Sequence, residues 1–267
     1  MIRYRSIEMG VELIENERST FIPSDPANAV WQDFLSWSTL GQTSEPPLPQ
    51  FYSSDKGAIG RLFIIGAGGF GREVFSMTHT ALGADTEWRV AGFLNDIKEA
   101  LDPFNGYPQI LADTSYQPQI TDVFICAIGD VRWRRIVCEK FRNRDAKFIN
   151  IINEGARISG AATIGTGVIV EAFTGIAANA HIGNFTTILG QTTIGHDVKV
   201  GQYCQISPYC DIHGWAEIGD ECLIGSHSVV LKKVKIGVGA TVGAGSIVIS
   251  DVPAGATVFG VPAKRIK

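Results

Sequence analysis

The stretch Ile182-Gly183-Asn184-Phe185-Thr186-Thr187-Ile188-Leu189-Gly190-Gln191-Thr192-Thr193-Ile194-Gly195-His196-Asp197-Val198-Lys199-Val200-Gly201 carries an aliphatic residue at every sixth position. Stepping by six in both directions gives Ile158, Ile164, Val170, Ile176, Ile182, Ile188, Ile194, Val200, Ile206, Ile212, Ile218, Ile224, Val230, Ile236, Val242 and Val248, which are 16 sites with no slip in register. The residue two before each is small or β-branched, from Ala156 and Ala162 through Cys204, Cys210 and Cys222 to Ser246. A strict period of six fits neither an α-helix nor an ordinary hairpin sheet. It describes a triangular solenoid. One aliphatic and one small side chain per hexad point into a narrow prism, and three hexads close a coil of 18 residues. Five such coils stacked at strand spacing span roughly 25 Å. Gly follows the aliphatic residue at 165, 183, 195, 201, 219, 225, 237 and 243, where it is expected to permit the sharp corner. Cys204, Cys210 and Cys222 occupy the small inward position and read as core filler.

The glycine excess is local to this repeat: 18 of the chain's 30 glycines fall between Gly155 and Gly260. The whole chain has 267 residues, room for two modest domains. A net charge of −4 argues against a nucleic-acid binder that works by neutralising phosphates. Arg3, Arg5, Glu8 and Glu12 interrupt any apolar run at the start, so no signal peptide is expected. The longest stretch without a charged residue, Ala172 to Gly195, is rich in Thr, Asn, Gln and His and is a poor membrane span. Five cysteines with no CxxC pair favour neither a metal cage nor a disulfide framework. A soluble protein of a reducing compartment is the expectation.

Residues 61–153 read as a small α/β domain. Leu62-Phe63-Ile64-Ile65 is a buried strand that runs into Gly66-Ala67-Gly68-Gly69-Phe70-Gly71, and a helix is expected from about Arg72 to Leu82. Val90 to Leu94 and Asp122 to Ile128 are further strands, a helix runs from about Val131 to Arg144, and Phe148 to Ile151 closes the domain. Alternating strands and helices imply a parallel sheet. The loop fits GxGxxG, with a strand before it and a helix after it, so its backbone N–H groups suit a phosphate. Asp96 ends the second strand and is placed to take a ribose or base contact. The basic run Arg132, Arg134, Arg135, Lys140, Arg142 and Arg144 reads as a solvated helix face, with Arg132 or Arg134 near enough to the strand end to reach a phosphate.

A short GAGGxG domain, then a hexapeptide helix, then the ending Gly260-Val261-Pro262-Ala263-Lys264-Arg265-Ile266 resembles the sialic-acid O-acetyltransferase and UDP-amino-sugar N-acetyltransferase family. The resemblance covers residues 61–267. It implies a left-handed parallel β-helix over 156–252 with a C-terminal tail at 253–267. It implies a homotrimer with active sites between neighbouring helices, acetyl-CoA as co-substrate, no metal, and a nucleotide-sugar amine or a glycan hydroxyl as acceptor. His196 matches the family's general base and Asp197 the acid that orients it. His titrates near working pH and suits that task. Residues 18 apart stack on one face, so Gly214 is expected directly above His196, and it matches the glycine whose N–H serves as oxyanion hole. Lys264 and Arg265 match the C-terminal motif that meets CoA phosphates. Gly66, Gly68, Gly69, Phe70, Gly71, Asp96 and Arg132 match the nucleotide-sugar side. Gln205 stands where relatives often carry a second His that contacts the acceptor. Leu189 and Phe70 are two further departures, at positions where some relatives carry a polar residue and a His. His181, His213 and His227 read as ordinary surface or inter-subunit residues.

Residues 1–57 are an addition to that pattern. Ile2 to Ile7 alternates like a strand, Trp31, Phe34 and Leu35 have helical spacing, and Pro46-Pro47-Leu48-Pro49 reads as a stiff linker. The run from Phe21 to Pro46 resembles a small module of bacteriophage tail and tail-fibre proteins. That resemblance implies a second reading: a trimeric structural tail protein that uses the β-helix as a shaft, with tail or baseplate partners bound through residues 1–57. The first reading implies a bacterial cytoplasmic enzyme, the second a place on the virion tail.

Overall fold

The computed structural model describes residues 3–7, 10–15, 18–23, 60–81 and 88–267. Three strands near the start, β1 (Arg3–Ile7), β2 (Gly10–Glu15) and β3 (Arg18–Pro23), form an antiparallel meander. The expected strand at 2–7 is therefore present from Arg3. The expected helix around Trp31 and the proline linker lie outside the described residues, as does most of the phage-like run.

The nucleotide-type fold begins with β4 (Gly60–Ile65), whose Leu62, Ile64 and Ile65 have no exposed surface. After it come α1 (Gly69–Ala81), β5 (Trp88–Leu94), β6 (Ile110–Ala112), β7 (Asp122–Cys126), α2 (Val131–Arg142) and β8 (Lys147–Phe148). The sheet order is β6-β5-β4-β7-β8, all parallel. The chain reverses its direction of growth at β4, so the glycine loop leaves the sheet at the point where such folds take ligands. Helix α1 starts three residues earlier than expected because Gly69 and Phe70 already belong to its first turn. β6 has no counterpart in the sequence reading, since three residues carry too little periodicity to register. The expected strand at 148–151 is two pieces. Phe148 ends the sheet, and Ile151–Ile152 opens the solenoid.

The solenoid is a left-handed parallel β-helix of two-residue strands on three faces. One face runs from Arg157–Ile158 to Ile247–Val248 in six strands, and a second from Thr163–Ile164 to Lys235–Ile236 in five. The third starts at Ile151–Ile152 and reaches Thr257–Phe259, where Lys264–Arg265 adds an antiparallel edge. Register advances by 18 residues per coil, as in Thr193 beside Asp211 and Ile194 beside Ile212. The hexad aliphatics from Val170 to Val248 are all buried, and Cys204, Cys210 and Cys222 lie among them with 0–2% exposure.

The corners correct one expectation. The residue with positive φ is not the glycine after the aliphatic but the residue two further on. That position is held by Phe173, Asn179, Phe185, Gln191, Asp197, Tyr203, Tyr209, Trp215, Glu221, His227 and Lys233, with φ between 56° and 65°. The glycine has ordinary dihedrals and is required by closeness: a Cβ on Gly183 would fall 2.5 Å from the carbonyl carbon of Gly201 in the next coil.

The small domain sits on the third face. Phe148 meets Phe185 edge-on at 4.9 Å, Phe185 stacks on Tyr203 at 5.1 Å, and both solenoid rings join the core of the α/β sheet. Arg134 corrects the reading of the basic run as a solvated face. It is 1% exposed and donates to the carbonyls of Ile128, Tyr203 and Cys204 and to Oε1 of Gln205. It therefore joins the two domains and is not available to a phosphate. Arg132 stays exposed.

Candidate active site

His196 and Asp197 occupy the corner between the first and second faces. The left-handed φ of 60° at Asp197 turns its carboxylate back, so Oδ2 lies 2.8 Å from Nδ1 of His196. Nδ2 of Asn179, one coil earlier at the same corner, donates to the other oxygen at 3.3 Å. The bond to His196 holds the Asp197 carboxyl below the ordinary carboxylate range; desolvation opposes the shift, and the Asn179 bond adds to it. A carboxylate on Nδ1 leaves Nε2 free to accept a proton.

Gly214 lies over the imidazole, as the 18-residue stacking requires. A Cβ there would be 2.7 Å from Nε2 of His196 and 2.8 Å from Cε1. The Gly214 N–H has no hydrogen-bond partner among the described residues. Trp215 packs beside the imidazole, its ring centroid 4.2 Å from that of His196 at 88°, and Nζ of Lys232 sits 4.4 Å from the indole centroid. These two residues carry no motif and were not singled out in the sequence. Their stacking offset from His196, 18 residues plus one and 36 residues, was the available signal.

The glycine loop is shaped by three different needs. Gly66 has φ +100°, and a Cβ on Gly71 would fall 2.0 Å from the Gly66 carbonyl oxygen, so the helix packs against the strand only with glycine there. Gly68 and Gly69 have open space around them, and their amides lack partners among the described residues at the start of α1. Such amides suit an anion. Asn95, which the sequence reading passed over, holds the loop by accepting from the Ala67 N–H at 3.2 Å. Asp96 is exposed, but one oxygen already accepts from the Thr114 N–H at 2.8 Å. Gln205 is the clearest displacement from expectation. It is 8% exposed and its carbonyl oxygen is held by Arg134, so it serves the domain contact and is not presented to an acceptor. Lys264 and Arg265 are exposed on the edge strand of the third face. His181, His213 and His227 are engaged locally, with Thr163, Asp211 and Tyr209 respectively. Among the described residues no group of His, Cys, Asp or Glu is arranged to hold a metal, and no helix is long and apolar enough to cross a membrane.

A glycine loop on a parallel sheet, joined to a β-helix with a carboxylate-oriented histidine at its corner, defines a hexapeptide-repeat transferase with a nucleotide-type N-terminal domain. Family models agree: residues 61–141 match the PglD N-terminal domain, and 197–232 match the bacterial transferase hexapeptide (six repeats). The acetyltransferase domain of PglB from Neisseria gonorrhoeae, in complex with acetyl coenzyme A, is 31% identical with a TM-score of 0.70; the match covers 78% of this chain and 100% of that one. PerB from Caulobacter crescentus, in complex with CoA and GDP-perosamine, is 29% identical with a TM-score of 0.70 over 79% of this chain and 99% of that one. WeeI from Acinetobacter baumannii is 26% identical with a TM-score of 0.68, covering 77% and 99%. The chain belongs to the acetyltransferase family that these proteins represent. No curated protein matches by sequence comparison. The phage-tail resemblance of the N-terminal run gains no support from these matches.

Proposed function

We propose that the protein transfers an acetyl group from acetyl-CoA to the amine of a nucleotide-linked sugar. The observation that carries this reading is the stack of Gly214 on His196, with Asp197 behind the imidazole. Nε2 of His196 accepts a proton from the acceptor amine as its nitrogen bonds to the thioester carbon. The oxygen of the tetrahedral intermediate accepts from the Gly214 N–H. The carbon–sulfur bond then breaks, and the CoA sulfur leaves as a thiol with the proton that His196 carried. Asp197 holds the ring and stabilises its charged form between the two transfers. A hydroxyl acceptor would use the same steps.

The nucleotide is assigned to Gly66, Gly68, Gly69, Phe70 and Gly71, with Asp96 and Arg132 at the rim. Lys264 and Arg265 are assigned to CoA phosphates. The small domain covers the third face of the prism, whereas His196 stands on the corner between the other two. One chain therefore carries its small domain on a different face from its base, an arrangement that suits a homotrimer in which the loop of one chain serves the base of another. The domain division we adopt is 1–57, 61–153, 156–252 and 253–267, and the use of acetyl-CoA, which a neighbour binds, favours the cytoplasm.

The test is thiol release from acetyl-CoA in the presence of GDP- and UDP-linked amino sugars. Turnover by the wild type that falls by about 10²–10⁴-fold in His196→Ala supports the reading. A folded protein with no turnover on any of these acceptors, and no binding of acetyl-CoA by calorimetry, overturns it.

A further inference from the structure

We infer that Trp215 is a positioning residue for His196, holding the imidazole in the plane that sets Nε2 against Gly214. This rests on the acetyl-transfer reading for its functional meaning, but its geometry is independent of it. His196 is half exposed, so burial does not hold its ring. Asp197 grips only Nδ1, and a ring gripped at one atom can still swing about that contact. The indole supplies the second restraint. It meets the imidazole edge to face at 4.2 Å. Edge-to-face contact is the favoured arrangement for two rings, and it resists rotation of either one.

The indole is itself held. Lys232 lies in the same column as His196 and Gly214, two coils on from the base, and its ammonium sits over the Trp215 ring at 4.4 Å. The imidazole of His196 occupies the space that a side chain at Gly214 would need, and Trp215 forms a wall beside it. The coil does not need a large ring at this place, because the same corner carries Asn179 and Lys233 in other coils with the same left-handed backbone. The aromatic residue is therefore explained by what it touches.

The test uses the full chain and two variants. Trp215→Asn keeps a residue suited to positive φ and removes the wall; Trp215→Phe keeps an aromatic wall. The kinetic readout is kcat against KM for acetyl-CoA. The second readout is the ¹⁵N spectrum of the His196 ring, assigned by its loss in His196→Ala. We expect Trp215→Asn to lower kcat about tenfold with KM for acetyl-CoA nearly unchanged, and Trp215→Phe to recover most of the loss. We also expect the His196 ring signals in Trp215→Asn to shift and broaden, as a ring freed to swing about its Asp197 contact would, with no change in melting temperature. Unchanged kcat and unchanged ring signals in Trp215→Asn overturn the inference, as does a Trp215→Phe variant as slow as Trp215→Asn. If the wild type turns over no acceptor, the acetyl-transfer reading fails by itself, and the ring signals still decide whether Trp215 positions His196.

Discussion

Gly214 lies so close over His196 that a single added methyl group would reach 2.7 Å from Nε2 of the imidazole. Real carbon and nitrogen atoms do not approach that closely without something moving. The base and the amide proposed as its oxyanion donor thus share one small space, and any side chain at 214 displaces one of them.

Gly214→Ala is therefore expected to reduce thiol release by about 10²-fold while circular dichroism and melting stay close to wild type. Its φ lies outside the left-handed region, so the backbone tolerates Ala, and the effect falls on the site. Near-normal turnover in this variant would show that the reacting atoms do not meet above His196.

Arg134 is a buried cation with carbonyl partners on both domains and an Nε that has no partner among the described residues. Arg134→Ala leaves a cavity and strands three backbone carbonyls and the Gln205 amide. It should destabilise the protein by about 3 kcal/mol in urea unfolding. Gln205→Ala removes one partner only and should cost about 1 kcal/mol.

The solenoid corners predict opposite signs for two substitutions. Gly183→Ala drives a methyl group into the backbone of Gly201 and should destabilise by at least about 2 kcal/mol. Phe173 holds a left-handed φ of 59° with its side chain 74% exposed. Phe173→Asn should stabilise by roughly 0.5–1 kcal/mol because Asn enters that region at less cost. Thermal melts of the two variants against wild type decide both.

Glu171 is half-buried, and burial raises its carboxyl pKa; the Gly190 N–H donates to it at 2.7 Å and opposes the shift, while Glu73 adds to it. A raised carboxyl binds its proton more readily folded than unfolded. Its favourable contribution is present below the unfolded value and is lost as pH rises through the folded one. Glu171→Gln keeps an acceptor for Gly190 and removes the buried charge. Its melting temperature should exceed wild type at pH 8 and match it near pH 4. Equal melting temperatures at both pH values would show that the carboxylate is not strained by its surroundings.

Much of this protein follows from local rules. A six-residue period needs no partner to be read, because each hexad repeats the same demand for one aliphatic and one small inward residue. The three core cysteines, the loop from Gly66 to Gly71 and the alignment of Gly214 with His196 all follow from counting along the chain. The helix and strand ends were less legible, since a cap such as Asp130, whose carboxylate accepts from the Trp133 N–H, acts over three residues and competes with longer patterns.

What the chain order alone determined is the prism, its register and which residues share a corner, because those depend only on spacing. Tertiary structure decided the rest. Arg134 reads as one more cation of a basic helix until the helix lies on the third face, and Gln205 reads as a site residue until that guanidinium takes its oxygen. Trp215 and Lys232 belong to no motif and join His196 only through the folding of side chains across coils. Spacing fixes where Cα atoms stack; which side chains then meet depends on rotamers and on packing from the neighbouring coil and domain, which no count along the chain contains.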